Sequence, residues 1–294
     1  MDAVFPPSTR GHRLSNVVKT TLLLAALSAL VLAVGQAVGG GRGLLVAGAV
    51  VLVMNSVSYW FSDSLALAMN GAKPLASGAV PALEQLTAQL ARRAGLPMPR
   101  LYVIHSPTPN AFATGRNPQR AAVAVTTGLL ELLDRRELAG VLAHELSHVK
   151  NRDTLIMTVA ATLAGVITQV AQWAFWWGGA LLGRGDDDDS PNALATLGLL
   201  IVAPLSATLL QLAISRSREF DADAAAAELT GDPRGLASAL ARLEDGNQLR
   251  HLNRSPATAH LYIVNPLSGG GVLSLFATHP PIERRIERLL AMER

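Results

Sequence analysis

The chain of 294 residues contains no cysteine, and only 16% of its residues are charged. Without cysteine there can be no disulfide framework and no cysteine-rich structural zinc shell. The low charge is unusual for a soluble protein, because half of the residues are hydrophobic. The net charge of +3 comes from scattered arginines that form no basic stripe with interleaved aromatics, so no nucleic-acid partner is predicted. The hydrophobic excess should therefore lie in membrane spans.

Two apolar runs near the amino terminus are each about as long as a helix needs to be to cross a bilayer. They extend from Thr20 to Val38 and from Leu44 to Phe61, and the glycine-rich segment 39–43 between them predicts a tight turn. The pair is interpreted as a helical hairpin, since no small-residue cleavage site typical of a signal peptide follows the first run. Basic residues are more frequent in the tail than in the turn, which places the tail in the cytoplasm.

A second hydrophobic pair runs from Leu155 to Leu182 and from Ala193 to Ile214. Both segments are long enough to span, and tryptophans cluster near the end of the first one, as at a membrane interface. Two crossings are favoured over a hairpin that packs in the cytoplasmic half without crossing. The connector contains four consecutive aspartates, Asp186 to Asp189, and predicts a solvated loop.

The segment His144-Glu145-Leu146-Ser147-His148 has the spacing of a zinc hydrolase motif. A capping signature at Asp134 and Glu137, followed by apolar residues at helical spacing, predicts a helix through it. Residues four apart on a helix are neighbours, so the two imidazoles can share one metal ion. Glu145 then projects to the side, near enough to accept a proton from water at the metal.

A third ligand is available in Glu219, which lies four residues before Asp223 on another predicted helix. Glu219 would complete a site of two histidines and one carboxylate with an open position for water. Asp223 would then orient a ligand histidine from outside the coordination sphere. From the residues alone, an equally good interpretation is that Glu219 is a surface charge among arginines. If all three residues share one ion, the number of membrane crossings between them is even, two or zero.

Short strands are predicted at Leu101–Ile104 and Ala121–Val125, with residues 110–115 as an extended segment or turn between them. A helix is predicted before them, from Pro81 to Arg93, and the carboxyl-terminal part is predicted to be helical, with one helix starting near Pro281. An exposed edge of the small sheet could hold an extended peptide as an added strand. The alternative is a sheet that only covers the core.

Four motifs in this order, residues 110–115 (Asn-Ala-Phe-Ala-Thr-Gly), 144–148, 219–223 and 276–281 (Phe-Ala-Thr-His-Pro-Pro), closely resemble those of the HtpX family of membrane-bound zinc metalloproteases. The resemblance covers nearly the whole chain, and the family is related to the CAAX prenyl proteases. It implies degradation of damaged or misfolded membrane proteins in heat-shock and envelope quality control. It also implies a bacterial inner-membrane protein whose active site faces the cytoplasm.

The resemblance implies a role for each matching residue. The expected ligands of one Zn²⁺ per chain are His144, His148 and Glu219, with Glu145 as the catalytic residue. The expected substrate-binding residues are Asn110, Ala111 and Phe112, and His279 matches the family's Thr-His-Pro-Pro histidine. In the mechanism that follows, Glu145 moves the proton of a zinc-activated water to the leaving amine, and His279 donates to the oxyanion.

These inferences predict a mainly α fold with a small β-sheet, in a multi-pass membrane protein with a zincin-like (HExxH) metalloprotease domain. The predicted regions are a tail (1–19), a transmembrane hairpin (20–61), two parts of the protease domain (62–154 and 215–294) and the second hydrophobic pair (155–214). The expected enzyme is a zinc metalloendopeptidase, and the expected partners are membrane-protein or unfolded polypeptide substrates and the lipid bilayer. A homo-oligomer is compatible with the sequence. The alternative function is a catalytically silent zinc-binding membrane scaffold.

Overall fold

The structure, a computed structural model, describes residues 9–155, 157, 159, 216–248 and 280–292. Most of the predicted second hydrophobic pair, its run of aspartates and the predicted site residue His279 lie outside the described residues. Within the described part helices predominate beside one small sheet. The predicted class, mainly α with a small β-sheet, is confirmed for that part of the chain.

Helix α1 (Thr9–Met69) contains the predicted amino-terminal hairpin. Gly40 interrupts the helix with φ 54° and ψ −139°, a conformation that glycine adopts far more readily than other residues. The two arms lie side by side, and the side chain of Asn55 on the second arm donates a hydrogen bond of 3.0 Å to Oγ of Ser28 on the first. The turn therefore lies within the predicted segment 39–43, but one glycine makes it rather than a five-residue loop.

Among the described residues, one stretch, Gly40–Phe61, is long and apolar enough to cross a membrane, with a mean hydropathy of 1.8. Most of its side chains are exposed on the surface of the chain. A helix of a soluble protein would bury an apolar face, so this exposure suits a helix that faces lipid. The first arm, predicted to span from Thr20 to Val38, is helical, and its membrane crossing stays a prediction.

A four-stranded sheet lies against the end of α1. Its strands, in chain order, are β1 (Lys73–Pro74), β2 (Arg100–Ile104), β3 (Ala111–Thr114) and β4 (Ala122–Thr126). The spatial order is β1-β2-β4-β3, with β2 parallel to β4 and the outer strands antiparallel to their neighbours. The predicted strands and extended segment are found, whereas the two-residue β1 has no pattern that would predict it. Strand β3 is an edge strand.

Besides α1, the described part contains the α-helices α2 (Pro81–Ala94), α3 (Thr127–Leu132), α4 (Arg135–Asn151), α5 (Arg216–Thr230), α6 (Pro233–Gln248) and α7 (Ile282–Ala291). A short 3-10 helix, Pro118–Arg120, precedes β4. The predicted helix from Pro81 is α2, and the predicted motif helix is α4. Helix α4 contacts α2, α5, α6 and β3, so it lies at the centre of the packing. At its contact with α6, a Cβ on Gly140 would lie 2.8 Å from the backbone of Leu236, and only glycine permits this approach.

The two faces of the sheet pack against different partners. Ala111, Ala113 and their neighbours on β4 belong to the large core that includes α2, α4, α5 and α6. Phe112 on the opposite face packs with Ala66 and Leu67 at the end of α1. Because side chains alternate along β3, one face of the strand packs against the central helix α4 and the other packs against α1.

Candidate metal centre

Helix α4 brings His144 and His148 to one buried face. Its amino terminus has the predicted capping box, in which Asp134 and Glu137 each bond the other's backbone. This cap fixes where the helix starts, and the spacing of four residues then places the imidazoles one turn apart. Their Nε2 atoms lie 3.2 Å from each other, and both side chains are buried.

Glu219 reaches the same point from α5. Its Oε2 lies 3.7 Å from Nε2 of His144, and its Oε1 lies 3.6 Å from Nε2 of His148. Tetrahedral zinc with bonds of roughly 2.0–2.2 Å to nitrogen and oxygen needs donor atoms about 3.3–3.6 Å apart. The three donors, each from a buried side chain, therefore fit a zinc ion. The alternative that Glu219 is a surface charge is wrong.

Each histidine has a carboxylate at its other ring nitrogen. Asp223 Oδ1 lies 3.0 Å from Nδ1 of His144, at ion-pair distance but without an aligned hydrogen bond. Asp153 Oδ2 lies 3.1 Å from Nδ1 of His148, and this contact is a hydrogen bond. A carboxylate at Nδ1 keeps the proton there and directs the lone pair of Nε2 toward the metal. Both imidazoles are thus oriented as metal ligands.

Arg285 on α7 holds Asp223 in place. The guanidinium donates two hydrogen bonds to the carboxylate, of 2.8 Å and 2.7 Å, and it is fully buried. Burial alone would raise the pKa of Asp223, but the charge and hydrogen bonds of Arg285 and the contact with His144 lower it to about 2. A second contact from Arg285, of 4.0 Å, reaches Glu219. One arginine therefore contacts both Glu219 and the carboxylate beside His144.

Asp153 has a weaker cationic neighbour. Arg218 Nη1 lies 3.6 Å from its Oδ1, and both side chains are buried. Burial alone would lower the pKa of His148, but the hydrogen bond to Asp153 and the negative charges of Glu219, Asp153 and Glu145 raise it to about 9. The same carboxylates would attract a metal cation in place of that proton.

Glu145 is close to the two histidines but is not one of the three grouped donors. Its Oε2 accepts a hydrogen bond of 2.7 Å from the backbone N–H of Ala113 on β3. Burial raises the pKa of Glu145, while the two histidines and this hydrogen bond lower it by less. A raised pKa makes a carboxylate a stronger base, which suits a group that accepts a proton and later returns it.

The predicted substrate-binding residues Asn110, Ala111 and Phe112 lie just before and at the start of β3. They immediately precede Ala113, whose backbone N–H contacts Glu145. The backbone of Asn110 bonds Thr126 through both its N–H and its carbonyl. The side chain of Phe112 is turned away from the metal centre and packs against α1. The backbone of β3, rather than the Phe112 ring, therefore borders the centre. His279 lies outside the described residues.

The sequence analysis missed Asp153, Arg218 and Arg285. Asp153 belongs to a polar run after α4, and nothing local shows that it folds back onto His148. Arg285 left a signal, because it lies three residues after Ile282 and four before Leu289, on the apolar stripe of α7. A charged residue on such a stripe requires a buried partner, here Asp223.

Comparisons with known proteins identify the family. Residues 79–293 match the model of peptidase family M48. The chain is 49% identical over 280 residues to a "Protease HtpX homolog" from Methylibium petroleiphilum, covering 94% of this chain and 98% of that protein. It is 48% identical over 282 residues to another from Paraburkholderia phytofirmans, covering 95% of this chain and 98% of that protein. A crystal structure of S. mikatae Ste24p aligns with a TM-score of 0.48 and 19% identity, over 95% of this chain and 66% of that one.

The family match and the two relatives agree with the resemblance seen in the four sequence motifs. They support proteolysis and give no support to the alternative of a silent scaffold. The chain therefore belongs to peptidase family M48 and is a membrane metalloprotease of the HtpX type.

Proposed function

We propose that the chain is a zinc-dependent endopeptidase that hydrolyses damaged or misfolded membrane proteins. The observation that carries this proposal is the convergence of His144, His148 and Glu219 beside a carboxyl group, Glu145, that is not among them. Two imidazoles and one carboxylate form the protein ligand set of a catalytic zinc, which leaves a position open. A structural zinc has a closed set of four ligands, so a free acid beside three donors favours catalysis.

His144, His148 and Glu219 would hold one Zn²⁺ per chain. When bound, zinc supplies Lewis acidity that polarises the scissile carbonyl and makes water more acidic. Glu145 accepts the proton of the attacking water and delivers it to the leaving amine. The Ala113 N–H holds Oε2 of Glu145, which leaves Oε1 as the oxygen that exchanges the proton. Burial raises the pKa of Glu145, which favours its uptake of that proton.

Among the predicted substrate-binding residues 110–112, the edge of β3 supports a role in substrate binding for Ala111. Asn110 bonds Thr126 on β4, and hydrogen-bonded pairs alternate along antiparallel strands. The backbone groups of Ala111 and Ala113 therefore point away from β4, as the contact from Ala113 to Glu145 shows. A peptide added to this edge would run past the metal centre. It would pair with Ala111 and with the carbonyl of Ala113, since the Ala113 N–H is used by Glu145.

Glu145→Gln tests the catalytic proposal. The amide fills the same space but cannot accept the proton, so purified protein should keep zinc and lose cleavage of a misfolded membrane substrate. A chelator should abolish cleavage by the unchanged protein, and added zinc should restore it. Wild-type turnover in the variant, after removal of contaminating protease, would exclude Glu145 from the mechanism. A scaffold predicts no chelator-sensitive cleavage in either protein.

His279 is proposed as the donor to the tetrahedral oxyanion. The supporting observation is that α7 follows Pro280 and Pro281 directly and reaches the metal centre through Arg285. Loss of one oxyanion donor typically lowers turnover about a hundred- to a thousand-fold. His279→Ala should have this effect and leave zinc occupancy intact. If zinc is lost while the fold is kept, the histidine is a ligand instead.

The membrane arrangement is proposed as multi-pass in a bacterial inner membrane, with the metal centre in the cytoplasm and two crossings between residues 155 and 214. Support comes from the basic residues Arg10, Arg13 and Lys19 before the first apolar run. It also comes from the shared site of α4 and α5, which requires an even number of crossings. The chain has no native cysteine, so Asp188→Cys and Arg135→Cys can be labelled separately in intact cells. An impermeant thiol reagent should modify position 188 and spare the exposed position 135. Protection of both would show a pair that does not span.

A further inference from the structure

The end of the apolar span has the side chains of a membrane interface. Gly40–Phe61 ends in Tyr59, Trp60 and Phe61, all exposed, and α1 continues from there without a break to Met69. Tyrosine and tryptophan are enriched where a span meets the headgroups. With a rise of about 1.5 Å per residue, Asp63 lies only about one turn beyond these aromatic residues. Residues 59–63 therefore mark the level at which α1 leaves the hydrocarbon.

Three arginines at one end of the sheet lie beside residues 59–63 of α1. The guanidinium of Arg116 lies 4.3 Å from the centre of the Trp60 ring. Arg100 forms an ion pair of 3.0 Å with Asp63 and donates a hydrogen bond of 3.2 Å to the carbonyl of Arg120. We call Arg100, Arg116 and Arg120 the arginine collar.

The sheet topology explains why the collar residues lie together. Strands β2 and β4 are parallel and begin at the same end of the sheet, where antiparallel β3 finishes. Arg100 is the first residue of β2, Arg116 follows β3, and Arg120 precedes β4. One end of the sheet therefore carries three arginines. The guanidinium groups of Arg100 and Arg116 contact the end of α1, and Arg120 is exposed beside Arg100.

The charge at this end is unbalanced. Within residues 59–63, 100–102 and 114–120, the charged side chains are the three collar arginines and one aspartate, Asp63. The Arg100 side chain remains 51% exposed despite its ion pair, and Arg120 is exposed. An exposed ion pair adds little stability, so support of the fold does not account for three arginines here. A cationic surface at headgroup level is complementary to anionic lipid.

We propose that the arginine collar binds the phosphate headgroups of anionic phospholipids. Trp60 then lies at the boundary between headgroups and acyl chains, and the bound lipids hold the collar end of the sheet against the bilayer. This inference rests on the assignment of Gly40–Phe61 as a membrane span, but it does not depend on catalysis.

Fluorescence quenching of Trp60 tests this proposal in the full-length chain. Replacing Trp173, Trp176 and Trp177 with Phe leaves one tryptophan, and the protein is reconstituted into vesicles that mix plain and chain-brominated lipids. Brominated phosphatidylglycerol and brominated phosphatidylcholine are compared, which gives their relative association at Trp60. We expect the anionic lipid to associate about 3- to 30-fold more strongly, with the ratio falling as salt is raised.

Two double variants locate the effect. Arg100→Gln with Arg120→Gln should bring the ratio close to one while leaving Arg116 on the Trp60 ring. Arg92→Gln with Arg93→Gln, at the exposed end of α2, removes the same charge and should leave the ratio unchanged. A ratio near one in the parent protein overturns the collar proposal, as does a high ratio that the collar variant retains. Absence of quenching by either lipid overturns the span itself, and neither result bears on the Glu145 test of proteolysis.

Discussion

The two histidines of the metal centre are supported in the same way by residues of different origin. Asp153 follows α4 closely and bonds His148, five residues before it. Asp223 comes from α5, which the chain reaches only after the second hydrophobic segment, and contacts His144. One support is local and the other depends on tertiary structure. The local support can form as soon as α4 ends, whereas the other requires α5 and α7 to dock.

The arginines differ as much as the aspartates do. Arg285 makes two short hydrogen bonds to Asp223 and has no exposed surface. Arg218 approaches Asp153 only to 3.6 Å. A two-point contact of short hydrogen bonds between a guanidinium and a carboxylate fixes orientation more firmly than a contact of 3.6 Å. We therefore expect the loss of Arg285 to be more damaging than the loss of Arg218.

The largest expected effect is the loss of Arg285. Arg285→Met leaves the Asp223 carboxylate buried without its cation, and breaking a buried pair in this way costs about 3–5 kcal/mol. Arg218→Met should cost clearly less, because its contact with Asp153 is longer. Thermal unfolding in detergent measures both. The double variant Asp223→Asn with Arg285→Met should recover part of the loss, and equal losses for the two arginines would remove the proposed asymmetry.

Metal affinity should depend on both aspartates. Asp153→Asn and Asp223→Asn each remove the charge that orients an imidazole, and such changes typically weaken metal binding about 10- to 100-fold. Competition with a chromogenic chelator measures the zinc Kd. Asp232→Asn is the matched control, since Asp232 pairs with Arg136 at the surface. An unchanged Kd in Asp153→Asn would mean that this carboxylate has no role in positioning His148.

The two supports should respond to pH in opposite directions in metal-free protein. His148 has its pKa raised from 6.5 to about 9, so its stabilisation is present below about pH 6.5 and is lost as pH rises through 9. Asp223 has its pKa lowered from 3.8 to about 2, so its stabilisation is present above about pH 3.8 and is lost as pH falls toward 2. The effects are on the order of 2–3 kcal/mol.

Unfolding midpoints across this range measure both losses. Asp153→Asn should reduce the loss of stability at alkaline pH and leave the loss at acid pH unchanged. Asp223→Asn should reduce the loss at acid pH and leave the alkaline loss unchanged. Bound zinc should also suppress the alkaline loss, because the metal takes the place of the His148 proton. An alkaline loss that persists in Asp153→Asn would assign the raised pKa to other groups.

The smallest expected effect concerns the turn at the end of α4 that brings Asp153 to His148. Arg152 caps α4 with φ 59°, a left-handed conformation that lets the chain fold back so that Asp153 meets His148. Glycine suits this position, so Arg152→Gly should change stability by less than about 1 kcal/mol and keep the zinc Kd. Valine disfavours the left-handed turn, so Arg152→Val should lower the stability of the protein and weaken its binding of zinc. If valine is tolerated, the left-handed turn does not determine where Asp153 lies.

The sequence by itself determined the features that depend on neighbours along the chain. The cap at Asp134 and the spacing of His144 and His148 predicted α4 and its two imidazoles, because a helix repeats every 3.6 residues. The strand signals located β2 and β4 to within one residue, and residues 110–115, predicted as an extended segment or turn, contain β3. The apolar run located the candidate span that ends at Phe61. The segment 39–43 predicted the turn of the hairpin.

Tertiary structure alone decided which distant residues meet. The distance between Glu219 and the two histidines follows from the docking of α5 on α4, which no local pattern encodes. The same is true of the Ala113 N–H on Glu145 and of the arginine collar, which depends on the strand order. Asp153 is close to His148 in sequence, but its role depends on a left-handed residue that its neighbours do not predict. Helical periodicity and capping act over a few residues, whereas these contacts are selected by burial of the whole core, which determines the partners of each buried charge.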